Sequence, residues 1–247
     1  MKLKFLIEYD GTGYSGWQIQ KNAKSIQGTI IKSIEKVFSE SKGNNVIKDF
    51  QGSGRTDSGV HAHEQAAHLE CETTIPPHVL KILLNNELPS SIAILDIEKA
   101  DDRFHARHSA KARQYVYRIS KRKSALGKKY VWWVKDKLDV EKMKKITNLF
   151  IGIRDYKSFT EKIKEEKSTK VYVEELDLSE ETDLILIRIK ASHFLWKMVR
   201  RITGVLVEAG RGNIGEKEIK SLFKNYSDLP AKLTAPPSGL FLEKIFY

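Results

Sequence analysis

The spacing of apolar residues changes along this chain between every second position and every third or fourth, and this alternation constrains the fold most. Short runs of alternating or branched apolar residues predict strands, because successive side chains of a strand point to opposite faces. Strands are therefore expected along the whole chain. The runs occupy residues 3–8, 92–98, 113–120, 171–178, 184–190 and 239–246.

Amphipathic helices are expected between these strands, where apolar residues recur three and four positions apart. Pro76 and Pro77 open one such helix, which reaches Leu84, since proline is tolerated in a first turn. Gly210 is expected to end another helix, which starts at Phe194. The remaining helices are predicted over residues 25–39, 139–150 and 216–226.

The strands and helices follow a similar order in both halves of the chain, which favours an α+β fold made of two similar subdomains. Each subdomain is expected to be a mostly antiparallel sheet with helices on one face, and the two are expected to join side by side around a cleft. The length of 247 residues and the 40% hydrophobic content suffice for such cores. The predicted subdomains are residues 1–103, which carry a loop with Asp57, and residues 104–247, which carry a strand with Tyr115 and a basic helix.

The chain is strongly basic, with 43 Lys and Arg against 32 Asp and Glu, a formal net charge of +11 and a pI near 9.5. Such a surface attracts a polyanion or an anionic membrane, and nucleic acid is the leading partner class. A lysine-rich surface without a partner is the alternative that composition leaves open. No apolar run reaches the roughly 18 residues needed to cross a bilayer, and Met1 leads directly into a strand instead of a secretion signal. We therefore expect a cytoplasmic protein that does not insert into a membrane.

Residues 50–70 read FQGSGRTDSGVHAHEQAAHLE, and their three histidines raise the question of a metal site. On a regular strand His61 and His63 share a face, whereas His68 falls on the opposite one. The single cysteine, Cys71, excludes an intramolecular disulfide and leaves any zinc site to histidines and carboxylates. Because these side chains do not converge, no metal is predicted.

The same stretch holds glycines around Arg55 and Asp57, which places the aspartate on a tight loop because glycine permits a left-handed backbone and close approach. In a cleft, Asp57 could pair with Arg55, which would keep the carboxylate ionised and orient it. The alternative is an Asp57 side chain that caps its own loop. The glycines are Gly52, Gly54 and Gly59.

Cations and aromatic rings alternate in residues 104–119, FHARHSAKARQYVYRI, a mixture that unpaired nucleotides favour. Tyr115 and Tyr117 share one face of the predicted strand. Ordinary sheet packing is the alternative role and is expected for one of these two rings. The cations are Arg107, Lys111, Arg113 and Arg118.

A basic ridge is predicted on the helix that starts at Phe194, because Lys197, Arg200 and Arg201 lie within one turn of each other. Apolar residues on the other side would face the core. The ridge could contact phosphates, and a solvated basic face is the alternative. The apolar set is Phe194, Met198, Ile202 and Leu206.

Six sequence blocks, which span nearly the whole chain, carry a resemblance to a known family. They are YDGTGYSGWQIQ (9–20), SIQG (25–28), GSGRTDSGVHAHEQ (52–65), FHARHSAKARQYVY (104–117), HFLWKMVRRITGVLVEAG (193–210) and APPSGLFLEKIFY (235–247). In this order they resemble the TruA-type tRNA pseudouridine synthases. Ordered blocks are far more specific than a lone GRTD would be.

The resemblance implies a cofactor-free isomerase that detaches uracil from its ribose and reattaches it through C5. The family's essential aspartate matches Asp57. Tyr115 would stack on the flipped uracil and take part in proton transfer at C5. Arg55 would pair with the aspartate or take the place of the extruded base, and Leu240 would contact the target ring. Whether Asp57 attacks C1′ or C6, or acts as a base at C2′, stays open.

The resemblance also implies a tRNA substrate, modified at uridines 38, 39 and 40 of the anticodon stem-loop, and a homodimer in which one tRNA touches both subunits. Basic residues on both subdomains would contact its phosphates. Two alternatives from other classes stay open. One is an RNA-binding module without chemistry, and the other is a metal-dependent RNA hydrolase that uses His61, His63 and Asp57.

Overall fold

The computed structural model describes residues 1–161 and 168–247. In chain order the strands are β1 (Lys2–Tyr9), β2 (Val46–Gly52), β3 (His61–Glu72), β4 (Ile92–Lys99), β5 (Ala112–Ser120), β6 (Trp132–Trp133), β7 (Gly152–Asp155), β8 (Lys170–Glu180), β9 (Leu184–Ala191) and β10 (Leu240–Phe246). The helices are α1 (Ile26–Glu40), α2 (Pro77–Glu87), α3 (Val140–Thr147), α4 (Met198–Arg211), α5 (Glu216–Lys224) and α6 (Leu229–Lys232).

The described residues divide into two units, each with its own core. Unit 1 comprises Met1–Lys111 together with Phe241–Tyr247, and unit 2 comprises Ala112–Leu240. The boundary predicted after residue 103 lies inside unit 1 in this division. The order of elements along the sequence does not reveal that the end of the chain returns to unit 1.

In the sheet of unit 1, β1 lies between β4 and β3 and is antiparallel to both. The long strand β3 also pairs with β2, which is antiparallel to its second half. β10 is parallel to the start of β3, where Phe241 pairs with His61. The core includes Leu3, Phe5, Ile7, Ile30, Ile34 and Leu84.

Hydrogen bonds hold the segment after β4 and the end of the chain together in unit 1. The Lys111 N–H donates to the Phe246 carbonyl at 2.8 Å. The Tyr247 hydroxyl donates to the Ala106 carbonyl at 2.9 Å. Because these bonds join residues 104–111 to the end of the chain, this segment belongs with unit 1.

In the sheet of unit 2, the order is β5, β9, β8, β7, and neighbouring strands are antiparallel. The short strand β6 is parallel to the end of β5, where Ile119 pairs with Trp132. Helices α3 and α4 contact each other, and α3 contacts β8. An aromatic cluster with ring centroids 5.4 to 5.7 Å apart fills part of the core; its members are Phe150, Tyr156, Phe159 and Phe223.

The predicted α+β class, with a mostly antiparallel sheet in each unit and helices in contact with it, is confirmed. Every strand predicted from apolar spacing is present, and β2, β3, β6 and β7 are additional. β3 is buried along most of its length on both faces, so it lacks the alternation that marks a strand with one solvated face. Within the described ranges, no helix is both long and apolar enough to span a membrane.

Helix α4 differs from its prediction at both ends. It begins at Met198, later than predicted, because Lys197 has a left-handed backbone with φ of 60° that interrupts the helix. It continues past Gly210 to Arg211 and is capped by Gly212, which has a left-handed backbone with φ of 86°. An added Cβ at Gly210 would lie 2.7 Å from the Met143 sulfur. Gly210 therefore permits close packing against α3 and does not terminate the helix.

Candidate active site

Asp57 lies between β2 and β3, on residues 53–60, which form the aspartate loop. The Val60 N–H donates to the Asp57 carbonyl at 3.1 Å and closes a turn in which Gly59 has φ of 75°. A left-handed backbone of this kind favours glycine. The predicted tight glycine loop is therefore present, with the half-buried Asp57 at its turn.

The segment between β1 and α1 lies directly against the aspartate loop. The Trp17 N–H donates to the Thr56 carbonyl at 3.0 Å, and the Ser58 hydroxyl donates to the Tyr14 carbonyl at 2.9 Å. Gly16 has φ of 93°, and a Cβ there would lie 2.6 Å from the Thr56 carbonyl oxygen. Only glycine permits so close an approach of two backbones. This segment thus fixes the aspartate loop from one side.

Buried polar side chains hold the aspartate loop from within unit 1. Ser53 Oγ donates to Gln65 Oε1 at 2.7 Å, and Gln65 Nε2 donates to the Gly54 carbonyl at 3.0 Å. The Tyr9 and Thr56 hydroxyls share a hydrogen bond of 2.7 Å. Gln65 is fully buried, so its amide is committed to these bonds. The backbone on either side of Asp57 is therefore fixed by side chains as well as by β3.

The local sequence pattern does not predict the roles of Tyr9, Gly16 and Gln65 at the aspartate loop. Their residue types are common, and a buried glutamine that bonds to its own hairpin is chemically ordinary. The available signal is their position inside the blocks YDGTGYSGWQIQ and GSGRTDSGVHAHEQ. Their contacts with the aspartate loop are visible only in three dimensions.

Arg55 lies on the aspartate loop with an exposed side chain. Its Nε donates to the Gln18 side-chain oxygen at 3.0 Å, and the Gln18 side-chain nitrogen donates to Gln27 Oε1 at 2.8 Å. The structure thus gives Arg55 a partner other than the expected Asp57. The pairing of Arg55 with Asp57 stays a prediction.

The histidines of β3 divide between two environments. His61 and His63 both stack on Phe241, at centroid distances of 4.7 and 4.9 Å. His68 accepts from the Ala106 N–H at 3.2 Å, and burial lowers its pKa.

β3 is not a regular strand, because its register with β1 shifts by one residue between Ala62 and Gln65, and His68, which pairs with Lys4, therefore lies on the same face as His61 and His63. The predicted opposite face is wrong, and the histidines are separated along the strand instead. Over residues 1–161 and 168–247, no group of three or more His, Cys, Asp or Glu side chains is placed to hold a metal ion.

The two tyrosines of β5 have different surroundings in unit 2. Tyr117 is fully buried, its hydroxyl donates to the Pro236 carbonyl at 2.8 Å, and burial raises its pKa well above the usual value. An added Cβ at Gly239 would lie 2.7 Å from the Tyr117 ring. Tyr115 is half-buried and meets Phe194 edge-on, with centroids 5.0 Å apart. Tyr117 is therefore the packing residue of the pair.

Other predicted binding residues lie in both units. Arg107 and Lys111 are exposed on the segment of unit 1 after β4. In unit 2, Arg113 Nη1 and Arg200 Nε each donate to a backbone carbonyl, at 3.0 and 2.7 Å. Leu240, the first residue of β10, is 5% exposed. Their predicted contacts with RNA stay predictions.

The basic ridge predicted on α4 is not a continuous exposed surface. Arg201 is an internal residue, so its predicted place in the ridge is wrong. Arg201 is 3% exposed, donates to the Thr160 carbonyl at 2.6 Å and pairs with Glu161 at 3.0 Å. Glu161 also pairs with Lys197 at 2.9 Å. Arg201 follows the buried Met198 by three residues and so lies at the edge of the inward stripe of the helix, where its partners Thr160 and Glu161 hold it inside. Its guanidinium supports the fold of unit 2 and is not exposed for phosphate contact.

Comparison with known proteins gives close relatives. The family model described as tRNA pseudouridine synthase matches residues 6–109 and 146–247. A tRNA pseudouridine synthase A from Thermoanaerobacter sp. is 40% identical over 244 residues, which is 98% of each chain. Proteins of the same name from Clostridium botulinum and Caldicellulosiruptor bescii are 37% and 40% identical. The first alignment covers 99% of both chains, and the second covers 98% of this chain and 97% of its relative.

Comparison with solved structures is less informative. A structure described as a Cbf5-Nop10-Gar1 complex gives a TM-score of 0.33 at 11% identity and covers 83% of this chain and 45% of that chain. So weak a likeness supports no conclusion. The match to the family model and the identity over nearly the full length are decisive: the chain belongs to the family of TruA-type tRNA pseudouridine synthases.

Proposed function

We propose that this chain isomerises uridine to pseudouridine in the anticodon stem-loop of tRNA, at positions 38, 39 and 40. The observation that carries the proposal is the identity of 40% over 98% of both chains with a tRNA pseudouridine synthase A. The basic charge of +11 supports a polyanionic substrate. A cytoplasmic homodimer that binds one tRNA across both subunits is proposed with it, by resemblance to the family.

The reaction breaks the C1′–N1 bond of uridine and forms a C1′–C5 bond, so it needs no oxidant or reductant. The hydrogen at C5 leaves as a proton, and N1 gains one. Asp57 is proposed as the essential carboxylate, which acts as a nucleophile at C1′ or C6 or as a base at C2′. The aspartate loop supports this role because residues on several elements fix its backbone, and catalysis requires a preorganised group.

The target uracil must leave the stacked stem before its ring can react, and extrusion costs on the order of a few kcal/mol. Tyr115 is proposed to stack on the flipped uracil and to assist proton transfer at C5. Arg55, which is exposed on the aspartate loop, is proposed to pair with Asp57 or to replace the extruded base. Leu240 is proposed as the apolar contact to the ring, and Arg107, Lys111, Arg113, Lys197 and Arg200 as phosphate contacts.

The test is tritium release from tRNA labelled at C5 of uridine, with wild type and Asp57→Ala side by side in EDTA. Wild type should release tritium, and Asp57→Ala should show no release above background while it still binds tRNA. Asp96→Asn, which changes an exposed aspartate on β4 of the same unit, is the matched control and should behave as wild type. Substantial turnover by Asp57→Ala would refute the catalytic assignment, and binding without release by wild type would favour an RNA-binding module.

A further inference from the structure

Unit 1 carries an open groove of about 740 Å³ between residues 19–25 and the first turns of α1. It is called the lysine groove because three of its lining residues are lysines and, among the described residues, none of the lining is an aspartate or glutamate. The part of the lining that the structure describes also has no aromatic ring. The lysines are Lys21, Lys24 and Lys32, and all of them are exposed.

The charge of the lysine groove is uncompensated, which distinguishes it from neighbouring surfaces. Among the described residues, no carboxylate oxygen lies within the ion-pair distance of 4.0 Å of Lys21, Lys24 or Lys32, whereas Lys36, one turn further along α1, pairs with Glu87 at 2.7 Å. A carboxylate so close to a lysine repels a phosphate that approaches it, so a paired lysine attracts a phosphate less than an unpaired one. Other paired lysines of unit 1 are Lys2 with Glu70, Lys4 with Glu98 and Lys48 with Glu72, at 2.6 to 2.9 Å.

The backbone beneath the lysine groove is held by hydrogen bonds. The Ser15 N–H donates to the Lys24 carbonyl at 2.8 Å, and the Ile19 N–H donates to Gln27 Oε1 at 3.0 Å. Lys24 Nζ lies over the Tyr14 ring, 4.7 Å from its centroid. The backbone that carries the cations is therefore ordered, so a ligand that binds them does not have to order the chain as well.

The framework of the lysine groove is continuous with the aspartate loop. Gln27 Oε1 also accepts from the Gln18 amide, and Gln18 in turn accepts from Arg55 Nε at 3.0 Å. A ligand in the groove would thus lie on the same rigid part of unit 1 as Arg55. A ligand long enough to reach from the groove to Arg55 would therefore meet a surface whose framework is already ordered.

We propose that the lysine groove binds the phosphate backbone of the RNA substrate. Several cations spread over an open groove fit a chain of phosphates better than a single small anion, and the absence of aromatic lining residues fits contact without base stacking. Binding there is independent of base sequence and contributes to affinity and to the orientation of the RNA. The inference rests on the proposed function for the identity of the polyanion.

The experiment measures tRNA affinity over a range of salt concentrations. The slope of log K against log salt falls by about 0.7 to 0.9 for each phosphate contact removed. Lys32→Gln should flatten the slope by about one unit, and the triple variant Lys21→Gln, Lys24→Gln, Lys32→Gln by about two to three units. Lys36→Gln is the matched control, since it removes the same charge from the same helix, and should keep the wild-type slope.

An unchanged slope in the triple variant, with an unchanged thermal unfolding midpoint, would overturn the proposal and leave the groove to another partner such as an acidic protein segment. An equal flattening by Lys36→Gln would also overturn it, because net charge alone would then explain the effect. Tritium release by wild type is measured on the same tRNA. If wild type shows no release, the proposed function fails. The difference in slope between Lys32→Gln and Lys36→Gln still tests whether the lysine groove binds the phosphates of the RNA.

Discussion

The starts of α1 and α4 resemble each other in sequence, since each combines several cations with an apolar stripe, but the structure uses the cations differently. At α4, Lys197 and Arg201 share the carboxylate of Glu161, and Arg201 is 3% exposed. At α1, the three lysines of the lysine groove are exposed, and the groove lining holds no carboxylate. Arg201 is committed to the fold and Lys197 is partly compensated, whereas the lysines of the groove are available to a ligand.

The difference shows that the number of cations on a helix does not identify a polyanion site. The absence of a protein partner is the better indicator, because a cation that already has a buried carbonyl or carboxylate partner would have to give it up to bind a phosphate. Lysines that neighbour each other on one helix can differ in this respect, as Lys32 and Lys36 do. Substitutions at the two helix starts should therefore affect different properties, stability at α4 and salt-dependent binding at α1.

Arg201→Ala is expected to have the largest effect on stability. It leaves the Thr160 carbonyl without its donor and Glu161 with one cation fewer, and breaking a buried ion pair costs about 3 kcal/mol at the low end of its range. The low end applies because Glu161 is 39% exposed. Urea unfolding followed by circular dichroism measures the change.

Arg211→Ala is the control for that loss, because it removes the same residue type from the other end of α4. Arg211 pairs with Asp136 at 2.8 Å on the surface, and such pairs contribute less than about 1 kcal/mol. If both variants lost the same stability, burial would not distinguish Arg201, and the contrast between the two helix starts would be lost.

Gly16→Ala is expected to destabilise by about 2 kcal/mol and to lower tritium release at least about tenfold. The new Cβ would enter a left-handed position, φ of 93°, and would lie 2.6 Å from the Thr56 carbonyl oxygen, so the aspartate loop must shift. Gly13→Ala is the matched control, with φ of 79° and no atom within 4 Å of the added Cβ. Gly13→Ala should lower the free energy of unfolding by only about 1 kcal/mol and keep normal turnover. Equal turnover in the two variants would show that the close approach at Gly16 does not matter for the reaction.

The sequence predicts the aspartate loop well because glycine spacing is a local property. Gly59 has the expected left-handed backbone, and Asp57 lies at the turn. Whether a cation is paired within the fold or exposed to a ligand depends instead on residues distant in sequence. Arg201 lies at the edge of the apolar stripe, where helical periodicity leaves its direction undecided, and Thr160 and Glu161 decide it. For the same reason, no local pattern distinguishes the lysines of the groove from the paired ones.

Glu161→Gln is expected to have the smallest effect on stability of the three variants, about 1 kcal/mol, because the amide oxygen of glutamine can still accept from Arg201 Nη2 and Arg201 keeps its bond to the Thr160 carbonyl. It removes the carboxylate that Lys197 shares with Arg201 and makes the start of α4 more like the lysine groove. If Glu161 weakens the proposed contact of Lys197 with a phosphate, its loss should steepen the salt dependence of tRNA binding by up to about one unit. A slope equal to that of wild type would show that compensation by Glu161 does not limit this contact.

The pH dependence of stability tests the same pair independently of RNA. The hydrogen bond from Lys197 lowers the pKa of Glu161, against a smaller opposing contribution from burial. A lowered pKa in the folded state means that the pair stabilises the fold above the ordinary glutamate range and loses this contribution as pH falls through the lowered value. The difference in unfolding free energy between wild type and Glu161→Gln should therefore be largest near neutral pH and shrink in acid. A difference that stayed constant with pH would mean that Glu161 acts through packing and not through its charge, and the contrast with the lysine groove would then rest on the burial of Arg201 alone.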